Sequence, residues 1–80
     1  MKAYIYVTLK KSVLDPQGKT VQNSLKQMKY PGIQSVRIGK FLEVEIDNTD
    51  KKAVGEQIDE MCRKLFVNPN IEEYRFELED

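Results

Sequence analysis

Apolar and polar residues alternate from residue 3 to residue 10 of the chain. One face of this segment carries Ala3, Ile5, Val7 and Leu9, and the other carries Tyr4, Tyr6, Thr8 and Lys10. Period-two alternation rich in β-branched and aromatic residues predicts a half-buried β-strand. The second face holds two tyrosines and is more apolar than a fully solvated face requires.

A helix is predicted after this strand. Asp15 suits the N-cap position, and Pro16 suits the first helical position, where its missing N–H is not needed. The apolar stripe that follows consists of Val21, Leu25 and Met28. Their spacing of i, i+4 and i+7 is typical of an amphipathic helix, which Pro31 and Gly32 are predicted to end.

Between residues 36 and 46 the apolar residues fall on even positions. They are Val36, Ile38, Leu42, Val44 and Ile46. Opposed residues of an antiparallel pair project to the same face, so a three-residue turn at 39–41 would pair Ile38 with Leu42. The pattern therefore predicts a β-hairpin, with unusual backbone angles at Gly39 or Lys40. One long bent strand is the alternative.

A second helix is predicted over residues 51–67, after N-cap candidates at 48–50. Its apolar stripe consists of Val54, Ile58, Met61, Cys62 and Leu65. This is the strongest helical periodicity in the chain, and it predicts that all five face the core. The sequence Asn-Pro-Asn at 68–70 breaks the helix. A last strand follows, with Tyr74, Phe76 and Leu78 on its apolar face.

The predicted element order is β-α-β-β-α-β within a single domain, residues 1–80. We expect an α+β fold of two layers, in the ferredoxin-like manner. Its four-stranded antiparallel sheet would carry both helices on one face. The other face would be open, with Tyr4 and Tyr6 among charged residues, a composition suited to association.

Composition bounds the kind of protein. A chain of 80 residues buries only about 60% of its unfolded surface, so its core is thin. Thirteen basic and thirteen acidic side chains give no net charge, which argues against a nucleic-acid partner. No apolar run is long enough for a membrane, and no signal-peptide pattern is present. The single Cys62 fits a reducing compartment, so we expect a cytoplasmic protein.

Charge is distributed unevenly along the chain. Residues 1–40 carry eight basic side chains and one acidic one, whereas residues 41–80 carry five basic and twelve acidic ones. We expect the fold to interleave the two halves, so that their charges neutralise locally. The alternative is a dipolar surface that steers association with another chain.

The sequence offers little for catalysis. It has no histidine and one cysteine, so neither a zinc site nor a Cys-His pair can be assembled within one chain. No phosphate-binding loop or dinucleotide fingerprint is present. An RNA-recognition module is disfavoured by the carboxylates of residues 41–47, and a small acyl-phosphatase by the lack of arginine in residues 11–18. We therefore predict no catalytic and no metal-binding residues.

Several short motifs together carry a family resemblance. They are Val7-Thr8-Leu9-Lys10, Val13-Leu14-Asp15-Pro16-Gln17-Gly18, Val36-Arg37-Ile38-Gly39-Lys40, Met61-Cys62-Arg63-Lys64-Leu65 and Asn68-Pro69-Asn70-Ile71-Glu72. Taken in order over nearly the whole chain, they resemble PurS, the small subunit of formylglycinamidine ribonucleotide (FGAM) synthetase. Small departures fall at 30–32 and 66–67, in turn or packing positions.

The resemblance implies a role in de novo purine synthesis. In that family a large subunit carries the ATP-dependent chemistry, and a glutaminase subunit releases ammonia. The resemblance implies that the small subunit is a non-catalytic adaptor that joins the two, and it suggests a part in shielding the ammonia. The complex would use ATP and Mg²⁺, with no cofactor bound by this chain. Self-association as a dimer or larger is also implied.

The resemblance also suggests residues at subunit interfaces. They are Asp15, Gln17, Gly18, Arg37, Lys40 and Asn68, and the composition of the open sheet face adds Tyr4 and Tyr6 to these interface candidates. Each of the first six has a local alternative, as a helix cap, a hairpin tip or a helix end. A ferredoxin-like regulatory domain that binds a small ligand is the alternative function.

Overall fold

The computed structural model describes residues 1–80 as three strands, two α-helices and one π-helical turn. The strands are β1 (Lys2–Leu9), β2 (Gly39–Glu45) and β3 (Glu72–Glu79). The helices are α1 (Pro16–Gln27) and α2 (Lys51–Met61), and α2 continues into a π turn at Cys62–Phe66.

The three strands form one antiparallel sheet in the order β2-β1-β3. Ile5 of the central strand lies opposite Leu42 on one side and Phe76 on the other. Because side chains alternate along each strand, the apolar residues of all three strands share one face, which we call the inner face. Ala3, Ile5 and Val7 on this face are fully buried. The alternation in β1 and β3 is thus confirmed.

Helix α2 covers the inner face. Val54, Ile58 and Cys62 of its apolar stripe are buried against β1. Its N-terminus is capped by Asp50, whose Oδ1 accepts the backbone N–H of Lys52 at 3.1 Å. One flank of α2 lies against β3, since Asp59 accepts a hydrogen bond from the Tyr74 hydroxyl. This hydrogen bond lowers the pKa of Asp59 and raises that of Tyr74.

The π turn changes which side chains face the core. Leu65 was predicted to be buried, but its side chain is 78% exposed, whereas Val67 is buried and Phe66 packs against the core. A π turn holds one residue more per turn than an α-helix and therefore rotates the following side chains. The predicted stripe is correct as far as Cys62 and wrong at Leu65.

The predicted hairpin at residues 36–46 is wrong. Residues 39–45 form a single strand, residues 31–38 belong to no sheet, and the sheet has three strands rather than four. Gly39 does not have a positive φ, which occurs only at Lys29 and Gly32. Gly39 is required for space instead, because a Cβ there would lie 2.3 Å from the Val7 carbonyl oxygen.

Helix α1 does not cover the sheet, contrary to prediction. None of its residues belongs to the core or packs against it, and its buried residues are Gly18 and Gln22. The molecule is consequently elongated, measuring 49 × 26 × 14 Å. Its radius of gyration is 16.1 Å, where a compact chain of this length has about 12 Å.

This arrangement divides the molecule into two regions. We call residues 10–38 the arm, and residues 1–9 with 39–80 the body. The arm carries six basic side chains and one acidic one, and the body carries seven basic and twelve acidic ones. All four ion pairs lie within the body. The predicted interleaving of the two halves is therefore seen where β1 lies between β2 and β3 and where Lys40 pairs with Glu72, whereas the arm keeps a charge of +5 against −5 on the body.

Candidate subunit interface

Asp15 joins the two chain segments at the base of the arm. Its Oδ1 accepts the backbone N–H of Gly18 at 2.9 Å, which caps helix α1 as predicted. Its Oδ2 accepts the backbone N–H of Ile38 at 2.8 Å, where the chain returns to the sheet. These hydrogen bonds, first from Gly18 and then from Ile38, lower the pKa of Asp15. Both carboxylate oxygens are thus occupied within the chain.

The segment 34–38 runs along helix α1 and braces it. A Cβ at Gly18 would lie 2.2 Å from the Val36 carbonyl oxygen, so only glycine permits this approach. Further along the helix, the buried Gln22 donates from Nε2 to the Gln34 carbonyl oxygen at 2.8 Å. The arm is therefore an ordered unit, although it has no hydrophobic core of its own.

The end of α1 is closed by a left-handed residue. The backbone N–H of Tyr30 bonds the Leu25 carbonyl at 3.2 Å, and the N–H of Lys29 bonds the Lys26 carbonyl at 3.0 Å. Lys29 has φ of 65°, in the left-handed region that such helix ends require. The helix thus ends before Pro31 and Gly32, which were predicted to end it.

Two predicted interface residues of the arm, Arg37 and Gln17, differ in whether their side chains are bonded within the chain. The Arg37 guanidinium donates to the Leu9 carbonyl and so ties the returning segment to the end of β1. Gln17 is exposed at the first turn of α1. Arg37 lines an open concavity of about 420 Å³, whose other charged lining residues are Lys11, Asp15 and Lys19.

Lys40 and Asn68 make contacts within the body. The Lys40 ammonium donates to the Phe66 carbonyl at 3.0 Å and lies 3.6 Å from the Glu72 carboxylate. Asn68 accepts the N–H of Asn70 at 3.1 Å, and its own N–H donates to Glu72 at 2.8 Å. Lys40 thus connects β2 to the π turn and β3, and Asn68 shapes the turn before β3.

Tyr4 and Tyr6 lie on the outer face of the sheet, opposite α2. Their rings lie near that of Phe41, with centroids 6.1 Å and 5.2 Å away. The Arg75 guanidinium lies 4.0 Å from the centroid of the Tyr6 ring, a cation–π contact. Phe41 was assigned to a turn, so its role here was missed; its odd position among even apolar ones was the available signal.

The predicted site residues fall into three places. Asp15, Gly18 and Arg37 meet at the base of the arm, with Gln17 beside them. Lys40 and Asn68 lie on the body near its π turn, and Tyr4 and Tyr6 lie on the outer face. These two tyrosines border carboxylates of the neighbouring strands, including Glu43 and Glu77, which lie opposite Tyr4.

The thiol and carboxylate side chains, which act as nucleophiles or metal ligands in many enzymes, form no such site in this chain. Cys62 is fully buried, and burial raises the pKa of its thiol, which therefore stays protonated at neutral pH. No group of three or more carboxylate or thiol side chains converges to hold a metal ion. No helix is long and apolar enough to cross a membrane.

Fold and surface together define a small α+β protein with a thin sheet covered by one helix, an aromatic outer face and a charged arm. Comparison with known proteins agrees. The family model of PurS, described as phosphoribosylformylglycinamidine (FGAM) synthase, matches residues 2–80. The PurS subunit of this synthase from Bacillus subtilis is 48% identical over 79 residues, covering 99% of this chain and 93% of the relative.

Solved structures show the same fold. The B. subtilis PurS structure has a TM-score of 0.87 at 48% identity and covers 99% of this chain and 98% of its own. PurS of Methanocaldococcus jannaschii also has a TM-score of 0.87, at 34% identity, covering 99% and 95%. A third match is to the Thermotoga maritima complex named PurLQS, with a TM-score of 0.86 at 32% identity, covering 95% and 93%.

The chain belongs to the PurS family. PurS is a subunit of FGAM synthase, the glutamine-dependent ligase of purine biosynthesis. The predicted resemblance is thereby confirmed, and the alternative of a regulatory ligand-binding domain gives way to it.

Proposed function

We propose that this chain is the non-catalytic adaptor subunit of an FGAM synthase complex, joining the ATP-dependent large subunit to the glutaminase and helping to shield the ammonia that passes between them. The observation that carries the proposal is the match, over 95% of the chain, to a structure of PurLQS, which is named as an assembly of PurS with PurL and PurQ.

The chemistry of the chain supports an adaptor rather than a catalyst. It contains no histidine, and its one thiol is buried and protonated. Glutamine hydrolysis and phosphate transfer need nucleophiles, bases and metal ligands that other subunits would supply. ATP and Mg²⁺ therefore belong to the complex, with no cofactor held by this chain, and the unpaired thiol suits work in the cytoplasm.

The proposed contacts to the other subunits lie at the base of the arm and on the outer face. At the base of the arm, Gln17 and the concavity with Lys11, Lys19 and Arg37 suit acidic groups of a partner. On the outer face, Tyr4 and Tyr6 with Phe41 offer the aromatic surface that is enriched at interfaces. Asp15, Gly18, Lys40 and Asn68 would act through the backbone that they shape.

Self-association is the second part of the proposal. An elongated chain with an uncovered helix gains stability from a second copy, as a dimer or a larger oligomer. This part and the adaptor part can fail separately, because a monomeric chain can still join two other proteins.

Reconstitution tests the adaptor role. We expect the chain to co-purify with the large subunit and the glutaminase in the presence of ATP and glutamine, and we expect glutamine-dependent activity to require it. Arg37→Glu should weaken this co-purification, whereas Lys51→Glu at the far end of the body should leave it unchanged. Full glutamine-dependent activity without the chain would overturn the proposal.

A further inference from the structure

The open concavity with Lys11, Asp15, Lys19 and Arg37 on its walls lies at the base of the arm, and we call it the arm site. Its volume of about 420 Å³ falls within the range of about 300–1,000 Å³ that is usual for small-molecule sites. Only three of its nine lining residues are hydrophobic, so its walls favour a polar or charged ligand.

The buried side chain of Gln22 gives the arm site an unused hydrogen-bond acceptor. Gln22 is 8% exposed, and its Nε2 donates to the Gln34 carbonyl at 2.8 Å. Because a carbonyl oxygen can only accept, this bond fixes which end of the Gln22 amide is the oxygen. Oε1 accepts no hydrogen bond within the chain. Since no fully buried side-chain oxygen lacks a partner, Oε1 keeps some open surface on the concavity that Gln22 lines, and a ligand there needs a donor for it.

The charged residues of the arm site sum to +2. Lys11, Lys19 and Arg37 contribute three positive charges, and Asp15 contributes one negative charge. None of the three cations has an ion pair within the chain. Asp15 is poorly placed to receive a ligand's ammonium group, because both of its oxygens already accept backbone N–H groups. The site therefore favours a ligand with two negative charges over a zwitterion.

The spacing of a cation and the acceptor along α1 sets a minimum length for the ligand. Lys19 and Gln22 are three residues apart and so are neighbours on one side of the helix. Their rise along the helix axis is about 4.5 Å, nearly one turn. A ligand that meets both extends over that length, with its anionic group at one end and a donor at the other. The half-buried Val36 and the exposed Leu14, which also line the site, offer contact to its carbon skeleton.

We propose that the arm site binds a phosphate monoester of a hydroxylated organic group, of which a sugar phosphate is the simplest kind. A phosphate monoester carries a charge of about −1.5 to −2 at neutral pH, which matches the charge of the site. Lys11, Lys19 and Arg37 hold its oxygens through charge-assisted hydrogen bonds, and a hydroxyl group donates to Oε1 of Gln22. A carboxylate of a protein would satisfy the cations but would bring no donor for Gln22.

This site goes beyond the proposed function, in which the same cations meet acidic groups of a partner. A ligand bound in the arm site would occupy the place of such groups, so the two uses exclude one another at any one time. Binding is measured on the full chain without other subunits. Its failure therefore leaves the adaptor role standing, and a failure of co-purification leaves the arm site standing.

Isothermal titration calorimetry with ribose 5-phosphate tests the site. We expect saturable binding that is about tenfold or more tighter than that of inorganic phosphate, which is too short to reach Gln22, or of ribose, which lacks the charge. AMP separates the two sources of this chemistry, since it binds at least as tightly if the ligand is a nucleotide and more weakly if the ligand is a free sugar phosphate. The absence of saturable binding, or equal affinity for ribose 5-phosphate and inorganic phosphate, would overturn the proposal.

Two lysines of α1 provide matched variants. Lys19→Gln should weaken the binding of ribose 5-phosphate by about tenfold or more. Lys26→Gln removes the same charge from the same helix outside the arm site, and it should change the affinity by less than about twofold. Equal losses would mean that the positive arm attracts anions without a defined site, which refutes the proposal.

Gln22→Met tests the acceptor itself. It should weaken the binding of ribose 5-phosphate about fivefold and leave the binding of inorganic phosphate unchanged. Because Gln22 also braces α1 through Gln34, circular dichroism should first show that the variant keeps its helix content. If that content falls, the comparison of Lys19→Gln with Lys26→Gln decides the question. An unchanged affinity for ribose 5-phosphate in a folded Gln22→Met chain contradicts the assignment of the acceptor.

Discussion

The arm and the body are ordered by different physics. The body is held by burial, since seven apolar residues of β1, α2 and the turn that follows form one core. The arm holds its shape through hydrogen bonds from Asp15 and Gln22 and through the close approach of Gly18 to Val36. Burial of apolar side chains contributes strongly to the free energy of folding. Hydrogen bonds at a surface replace hydrogen bonds to water and contribute less. The body should therefore set global stability, and the arm should respond locally.

Truncation of a core side chain should cause the largest loss of stability. Ile58 is fully buried under α2, so Ile58→Ala should lower the free energy of unfolding by about 2–5 kcal/mol. Val21→Ala on the arm should change it by no more than about 0.5 kcal/mol when the chain is monomeric. Urea unfolding at low protein concentration measures both. Equal losses would show that arm and body unfold as one unit.

The second largest loss of stability is expected at Gly39, where strand β2 begins and the arm joins the body. Gly39→Val places a side chain against the Val7 carbonyl and should cost about 1–3 kcal/mol by separating β2 from β1. Gly55→Ala is the control, because its Cβ would lie 3.7 Å from Leu78, an ordinary contact. Thermal unfolding should show a loss for the first variant and no loss for the second.

Removal of the Lys40 charge should have a smaller effect on the body. Lys40→Gln gives up the ion pair with Glu72, at an exposed site where such pairs contribute about 0.2–1 kcal/mol. Lys51→Gln, at a lysine without an ion pair, is its control. A loss of complex formation at unchanged stability would instead return Lys40 to the interface role predicted from the sequence.

Substitution of Asp15 should change global stability least, and the contribution of Asp15 should depend on pH. The native pKa of Asp15 lies below its ordinary value of 3.8 because Gly18 and Ile38 donate to its carboxylate. Its contribution is therefore complete above about pH 5 and is lost as pH falls through the lower native pKa. Hydrogen exchange should show the amides of Gly18 and Ile38 losing protection over that range.

Asp15→Asn should remove the acid dependence of those two amides and should leave the exchange of the β1 amides unchanged. Protection at β1 that falls in parallel would show that the clamp also holds the body together.

Sequence periodicity predicted the parts of the fold in which one chain supplies both partners of a contact. Strands β1 and β3 and helix α2 as far as Cys62 follow their patterns, because their apolar faces are buried within the chain. The stripe of α1 is shorter, and periodicity shows that one face of a helix is apolar but not what, if anything, packs against that face. The second of the four predicted strands, near residues 36–38, does not form, and the pattern did not show this because the even spacing from 36 to 46 continues across the start of β2 at Gly39.

Two features of the structure could not be predicted from sequence patterns. The π turn exchanges Leu65 for Phe66, and nothing in the stripe shows where a helix will widen. Gly18 and Gly39 were expected to serve caps and turns, whereas both make room for a carbonyl of a distant segment. Such an approach depends on tertiary placement, which one-dimensional spacing does not encode. The N-cap at Asp15 was predicted because it is local, but its second bond to Ile38 was not.

The order of the strands in the sheet also has a consequence for synthesis. The central strand β1 leaves the ribosome first, and both of its neighbours, β2 and β3, are made much later. Until they appear, Ala3, Ile5 and Val7 have no partner, so the nascent chain must wait with its most apolar strand unpaired. Helix α1 and its bracing segment need only residues 15–38 and can form meanwhile. In a growing chain the region that contributes least to final stability is therefore the first that can take shape.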